Sequence, residues 1–585
     1  MMIRKYRISA LCIVAAAFLT MVQPSFAESQ RPNIITILVD DLGYSDLGCY
    51  GGEIDTPNLD RLAEGGVRFT QFYNTSRCCP SRASLLTGLY PHQTGIGFMA
   101  YRDYGHGYRP NLIEECVTFA EVLQDAGYQT MMSGKWHVGH TDLIARPEVR
   151  GFQKFTGIYS HVDSYWKVLK GCDIYRDKQL FIEAQENPTN PYRPEAEFYT
   201  TDFFTDVALD YISQATNSSS QPFLLHLCYN VPHFPLETPD DLIDKYRGRY
   251  MRGWDVLRKE KLERMKRMGL VSQNQQLPEV KGFRNDKVPG FSEVGVETES
   301  LPAWESLSPE DQREMDFRRA MYAGQIDNLD QNIGRLITHL KQQGIFDNTV
   351  IAFISDNGCS GEMGLFGMNW KKGRDDHVKS GWNRYDYRSD NYQEWRNKSG
   401  WSISQGQCWA AYSNTPLRKF KKFVHEGGIA SPFILHWPAG INRPGSISSK
   451  EFFHLIDVMP TLCDIAEAEY PKRYQGKAIP PMEGISMLPF IKNPNAPAKK
   501  RTIFWQHENH SAVRDGHWKL VTGNDRSDKT WELYNLSDDR SETRNLAANE
   551  PEKVALLKGK WAEWAERVSA TPFPEQRVDE KSVNP

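Results

Sequence analysis

At 585 residues the chain is longer than one hydrophobic core usually serves, so a large domain with a smaller companion is expected. Its 40% hydrophobic and 25% charged residues, with 43 Gly and 33 Pro, exclude wholesale disorder and collagen-like repetition. Lys and Arg total 70 against 74 Asp and Glu, a net charge of −4, without the basic excess of a nucleic-acid binder.

Arg4, Lys5 and Arg7 precede an uncharged run from Ile8 to Val22, and Gln23-Pro24-Ser25-Phe26-Ala27 then ends in the small-x-small pattern of a signal-peptidase site. Residues 1–27 read as a signal peptide, so export to the periplasm or the medium is expected. The run is short for a bilayer span and no comparable one follows, which argues against a membrane anchor. Nine cysteines lie beyond this leader. Export permits disulfides, but an odd, dispersed set leaves at least one cysteine with another role.

Apolar runs alternate with helical patterns from there to about residue 495, as in an α/β domain with a large, mixed, mostly parallel sheet sandwiched by helices. Strands are expected at Ile34 to Val39, Gln129 to Met132, Phe223 to Leu227, Thr349 to Ile354 and Pro432 to His436. Ile326, Leu329, Ile333, Leu336, Ile337 and Leu340 mark a helix that Gly344 stops. The basic segment from Lys245 to Arg267 reads as an amphipathic surface helix, with a polyanion-steering patch as the sharper alternative. Residues 161–198 and 362–412 resist assignment and read as functional insertions. Pro494-Asn495-Ala496-Pro497-Ala498-Lys499-Lys500 reads as a linker. Residues 496–585 read as a small α+β subdomain: antiparallel strands at Arg501 to Trp505, Ser511 to Val521 and Trp531 to Leu536, then a helix near Glu550 to Ser569.

Ligands of open α/β sheets bind beyond the carboxyl ends of the strands. The first strand runs into Asp40-Asp41 and the one at Thr349 into Ser355-Asp356-Asn357-Gly358. Singly these read as a helix cap and a turn; together they suggest oxygen ligands for a hard cation, Ca²⁺ or Mg²⁺, rather than zinc. Two further strands lead to Lys135 and His137, and to His233. A cation and two imidazoles beside such a site suit an anionic substrate whose leaving group needs a proton. In Cys78-Cys79-Pro80-Ser81-Arg82-Ala83-Ser84-Leu85-Leu86-Thr87-Gly88, Pro80 and the Leu pair place a helix start beside Cys78, where an anion would meet free N–H groups.

These residues resemble the type I, formylglycine-dependent sulfatases of the alkaline-phosphatase superfamily. The C-x-P-S-R signature followed by Thr87-Gly88 is highly specific; Gly134-Lys135-Trp136-His137 resembles the second signature, and Glu426-Gly427-Gly428-Ile429 extends the likeness. The resemblance implies an alkaline-phosphatase-like fold and hydrolysis of a sulfate ester, on a sulfated saccharide or an aryl sulfate. It implies that a separate maturating enzyme converts Cys78 to formylglycine (3-oxoalanine), with Cys79 at the free x position. It further implies that Asp40, Asp41, Asp356, Asn357 and the converted Cys78 bind Ca²⁺, with Mg²⁺ second. By the same likeness Arg82 holds the formylglycine hydrate, Lys135 bridges it to the sulfate, His233 with Lys421 protonates the leaving oxygen, and His137 takes the proton that regenerates the aldehyde. Lys419 and Lys422 rival Lys421, because three lysines crowd a place where the family shows one. Ser160 is a further candidate beside the sulfate.

Trp370, Trp382, Trp395, Trp401 and Trp409, interleaved with Arg384, Asp386, Arg388, Asp390 and Arg396, suggest a carbohydrate-binding rim. Two alternatives stay open: a phosphodiester or phosphonate monoester hydrolase using the same residue, and a catalytically inactive glycan-binding relative.

Overall fold

The computed structural model describes residues 31–570 apart from 289–290, 363, 368, 372–400, 494–495, 497–499 and 523–529. An eleven-stranded sheet forms its centre. Five strands run parallel, in the order Thr349–Ser355, Asn33–Val39, Phe223–Cys228, Gln129–Lys135 and Lys154–Ile158. On one side Ala430–His436 and then Gly66–Tyr73 continue the sheet antiparallel; on the other, the hairpin Ile174–Arg176 and Gln179–Ile182 closes it. That hairpin lies within the insertion at 161–198.

Side-chain alternation divides the core between the two faces. Ile35, Ile37 and Val39 pack with Ile326, Leu329, Ile333, Leu336 and Leu340 of the helix Pro309–Gln342. Ile34 and Leu38 face the opposite way, toward Leu85 and Leu86 of the helix Cys78–Thr87. The parallel register sets Val39 beside Ser355, and Gly134 beside both Cys228 and Gly157. Asp40, Asp356 and Lys135 therefore emerge at one edge.

Several expectations change. The strand at Gln129 runs on to Lys135, because Gly134 at φ +107° fits a close approach that a side chain would block. The basic segment is two helices, Asp240–Tyr246 and Gly253–Arg267, broken where Gly253 takes φ +75°. The second buries Trp254, Leu262 and Met265 as its spacing implied, but it also buries Lys261, ion-paired with Glu53 at 3.2 Å. Trp409 is not a rim residue: its indole N–H donates to the Met315 carbonyl at 2.9 Å and its ring packs on Trp254 and Trp304. Trp382, Trp395 and the charged residues between Arg384 and Arg396 lie outside the described residues, as do residues 1–27 and most of the linker.

The C-terminal sheet has four antiparallel strands, Thr502–His507, His510–Asp515, Trp518–Thr522 and Trp531–Asn535. The expected single strand from Ser511 to Val521 is split by a turn at Gly516, φ +61°. Val513, Leu520 and Leu533 pack with Leu557 of the helix Pro551–Arg567. A buried polar network joins this sheet to the large domain. Glu426 accepts from Tyr73 Oη at 2.7 Å, Lys519 Nζ at 2.9 Å and Arg540 Nε at 3.2 Å, and its backbone N–H donates to Glu542 at 2.8 Å.

All nine described cysteines are buried and unpaired, so no disulfide forms among the described residues. No described helix is long and apolar enough to cross a membrane.

Candidate active site

Asp40 and Asp41 follow the central strand, and Asp41 takes the left-handed conformation, φ +69°. The turn is braced from behind. Tyr322 Oη donates to Asp46 at 2.8 Å and lies 3.3 Å from the Asp41 carbonyl, while Arg319 Nη2 donates to Asp46 at 2.8 Å. Sequence reasoning missed this brace, because Arg319 and Tyr322 lie in a helix that buries several other polar side chains, among them Arg318, Gln325 and Asp330, and nothing local marks these two out.

Cys78 opens its helix after Arg77, whose side chain makes no capping bond. The first-turn N–H groups have no acceptor within the helix and Pro80 has no N–H, so this end is electropositive. Arg82, one turn on, donates from Nη2 to Asp356 at 2.9 Å and to Asp40 at 3.4 Å, and from Nη1 to the Lys135 carbonyl at 2.9 Å. Lys135 Nζ pairs with Asp40 Oδ2. Asn357 Nδ2 donates to Asp41 Oδ1 at 2.6 Å. Lys421 Nζ reaches both Asp41 oxygens at 2.9 and 3.0 Å, whereas Lys419 Nζ lies over the Phe423 ring. His233 Nε2 is 3.6 Å from Asp41 Oδ2, and its Nδ1 meets the Phe234 carbonyl. Ser160 turns away; its hydroxyl donates to the Gly171 carbonyl.

The structure thus brings Asp40, Asp41, Cys78, Arg82, Lys135, His137, His233, Asp356, Asn357 and Lys421 to one sheet edge. A cleft of about 300 Å³ opens there, lined in part by Cys78, Lys135, His137, His233 and Lys421. Glu362 and Arg77, which entered no expectation from the sequence, join Lys421 and Lys422 in a charged group beside the cleft. Glu362 accepts from Arg77 Nη1 at 2.8 Å, Lys422 Nζ at 3.0 Å and Lys421 Nζ at 3.1 Å.

Asp40 Oδ1 and Asn357 Oδ1 are buried and have no hydrogen-bond partner. Orphaned oxygens among three carboxylates are what a hard divalent cation relieves, so the residues fit one. The carboxylates respond oppositely to crowding. Burial would raise Asp40, but Lys135, His233 and Arg82 outweigh it and hold the group below the usual carboxylate range. Burial and the Asp40 charge push Asp356 well up against the pull of Arg82. A dication between them would draw Asp356 down again. Cys79's thiol hydrogen bond lowers Cys78 despite burial, helped by His137 and Lys135. Burial, with Lys135, depresses His137 to about 3, so it is neutral near pH 7, and its Nδ1 has no partner. His233 is lowered by burial and Lys421, whereas Asp41 and Glu362 raise Lys421 despite its burial.

Residues 32–468 match the Sulfatase family model, and residues 419–564 match the model for the C-terminal region of N-sulphoglucosamine sulphohydrolase. An uncharacterized sulfatase of Schizosaccharomyces pombe is 32% identical over 582 residues, covering 95% of this chain and 97% of the relative. The arylsulfatase of Klebsiella aerogenes is 31% identical over 481 residues, 81% of this chain and 94% of the relative. The structure of BT4656, in complex with its substrate D-glucosamine-2-N,6-O-disulfate, superposes with a TM-score of 0.55 at 22% identity, covering 94% of this chain and 100% of the other.

Proposed function

The chain belongs to the sulfatase family and is a sulfuric ester hydrolase, and from that premise we propose that it removes sulfate from a carbohydrate with Cys78 converted to formylglycine. One observation carries this reading: Cys78, at a helix N-terminus, faces the same cleft as Lys135, His137, His233 and Lys421, above a buried carboxylate cluster with orphaned oxygens. Asp40, Asp41, Asp356 and Asn357, with residue 78, would hold the cation. An all-oxygen set this crowded suits Ca²⁺ better than Mg²⁺, which keeps several waters. When present, formylglycine supplies a hydroxyl nucleophile and the cation supplies charge for the sulfate oxygens.

The chain's own residues do the rest. Arg82 fixes Asp40, Asp356 and the Lys135 carbonyl together, which sets where residue 78 meets the carboxylates. Lys135 and Lys421 bring two positive charges to the sulfate, one from the Asp40 side and one from the Asp41 side. His233, with Lys421, provides the proton that the leaving oxygen requires. His137, neutral and adjacent to Cys78, takes up the proton of the reset step.

The cleft volume suits a single sulfated sugar, and the substrate of BT4656 is a sulfated glucosamine. The leader at residues 1–27 supports export, and the C-x-P-S-R motif supports modification by a maturating enzyme. Peptide mass spectrometry at Cys78, with a screen of sulfated mono- and oligosaccharides beside phosphate and phosphonate esters, tests the reading. Formylglycine and sulfate release are expected. An unmodified thiol with full activity, preferred phosphorus esters, or glycan binding without turnover would each overturn it.

A further inference from the structure

Glu362 is neither one of the residues proposed to hold the cation nor one proposed to carry the proton, although it pairs with Lys421. Its side chain is only 10% exposed and lines the same cleft as Cys78. Oε1 takes Arg77 Nη1 and Lys422 Nζ, and Oε2 takes Lys421 Nζ with the Ser360 hydroxyl at 3.3 Å. One carboxylate therefore faces three cations from two separate segments, the residue before Cys78 and the Lys421-Lys422 pair. These cations, with a carboxylate drawn firmly ionised between them, are the cleft's largest charge group outside the Asp40, Asp41 and Asp356 cluster.

The net charge of this group bears on a choice the cleft has to make. A sulfate monoester carries one negative charge, whereas a phosphate monoester, of similar shape, carries nearly two above its second pKa of about 6. Coulomb attraction scales with ligand charge, so every unit of positive charge left uncompensated in the cleft favours the dianion over the monoanion. A carboxylate among three cations removes one such unit where the ester's oxygens arrive.

We propose that Glu362 is a specificity-determining residue, whose carboxylate lowers the cleft's positive charge so that monoanionic sulfate esters are accepted over dianionic phosphate esters. This rests on the sulfate-hydrolase reading above. Arg77 and Lys422 then serve as counter-charges that keep Glu362 ionised and aimed between them, and Lys421 shares its proton-donating side with that carboxylate.

The test compares kcat/KM for 4-nitrophenyl sulfate and 4-nitrophenyl phosphate at pH 8 in the matured wild type, Glu362→Gln and Glu362→Asp. Removing one charge a few ångströms from the ester should raise the phosphate-to-sulfate ratio about tenfold in Glu362→Gln. Glu362→Asp, which keeps the charge, should stay near the wild-type ratio even if both rates fall. Equal loss on both esters in Glu362→Gln, or the same ratio in Gln and Asp, would overturn the proposal and leave Glu362 a structural ion-pair partner. A wild type that turns over no sulfate ester would instead sink the functional reading itself, so the two failures are separable.

Discussion

Gly134 lies so close to Cys228 on the neighbouring strand that a Cβ at position 134 would sit 1.9 Å from the Cys228 carbonyl oxygen. The next residue is Lys135, whose ammonium pairs with Asp40 and whose carbonyl accepts from Arg82. The close approach of two strands thus sets the position of a charge in the cleft. Gly134→Ala adds a backbone clash to a left-handed φ, and should cost about 3 kcal/mol or more in stability. Urea unfolding checks this; a variant within about 1 kcal/mol of wild type would show that the strands can part without loss.

Cys78 and Cys79 are neighbours with different expected fates. Cys78→Ala should fold, bind the cation more weakly and lose turnover by at least about 10³-fold. Cys79→Ala, which removes a buried sulfur, should cost about 1 kcal/mol and retain turnover. Kinetics and thermal melts on both variants check this, and the reverse pattern would exchange the roles of the two positions.

If His233 protonates the leaving oxygen, its loss should depend on how much that oxygen needs a proton. His233→Gln should cost about 10²- to 10⁴-fold on an alkyl sulfate of a sugar and far less on 4-nitrophenyl sulfate, whose phenolate leaves unaided. Equal losses on both would remove the acid role.

Chelation should expose the carboxylate cluster. EDTA followed by desalting should lower the melting temperature, and Ca²⁺ should restore it more fully than equimolar Mg²⁺; a ligand at 100 times its Kd contributes about 2.7 kcal/mol. Asp40→Asn should blunt that response. An unchanged melting temperature would show that no stabilising ion sits there.

Glu237 gives a pH signature away from the cleft. Burial raises its carboxyl from 4.5 to about 7, against hydrogen bonds from Ser164 Oγ at 2.8 Å and the Tyr165 N–H at 2.6 Å. A raised folded value means the native state binds this proton more tightly than the unfolded chain. The contribution is present below pH 4.5 and is lost as pH rises through about 7, at most about 3 kcal/mol. Urea midpoints from pH 4.5 to 8 should therefore fall less steeply in Glu237→Gln than in wild type; identical slopes would refute this.

The residues of the cleft were legible in the sequence because strand ends announce themselves. An apolar run that stops at Asp40-Asp41 or at Asp356-Asn357 places its polar residues at the sheet edge, and C-x-P-S-R adds a motif of high specificity. What stayed hidden depended on distant partners. Glu362 reads as one acid in an unassigned stretch until Arg77 and the two lysines are folded onto it. Trp409 reads like its aromatic neighbours until the helix around Trp254 covers it. The split at Gly516 had a local signal that was passed over: Asp515-Gly516, a hairpin-turn dipeptide, stands in the polar stretch between Val513 and Trp518.

The bonds around Glu426 bear on where this polypeptide could be cut. Removing the last ninety or so residues would strip a fully desolvated acid of Lys519 and Arg540, leaving a bare charge beside Tyr73 on the main sheet. The compact tail is therefore a structural completion of the larger body rather than an appendage, and a shortened product would be expected to precipitate rather than to work at reduced rate.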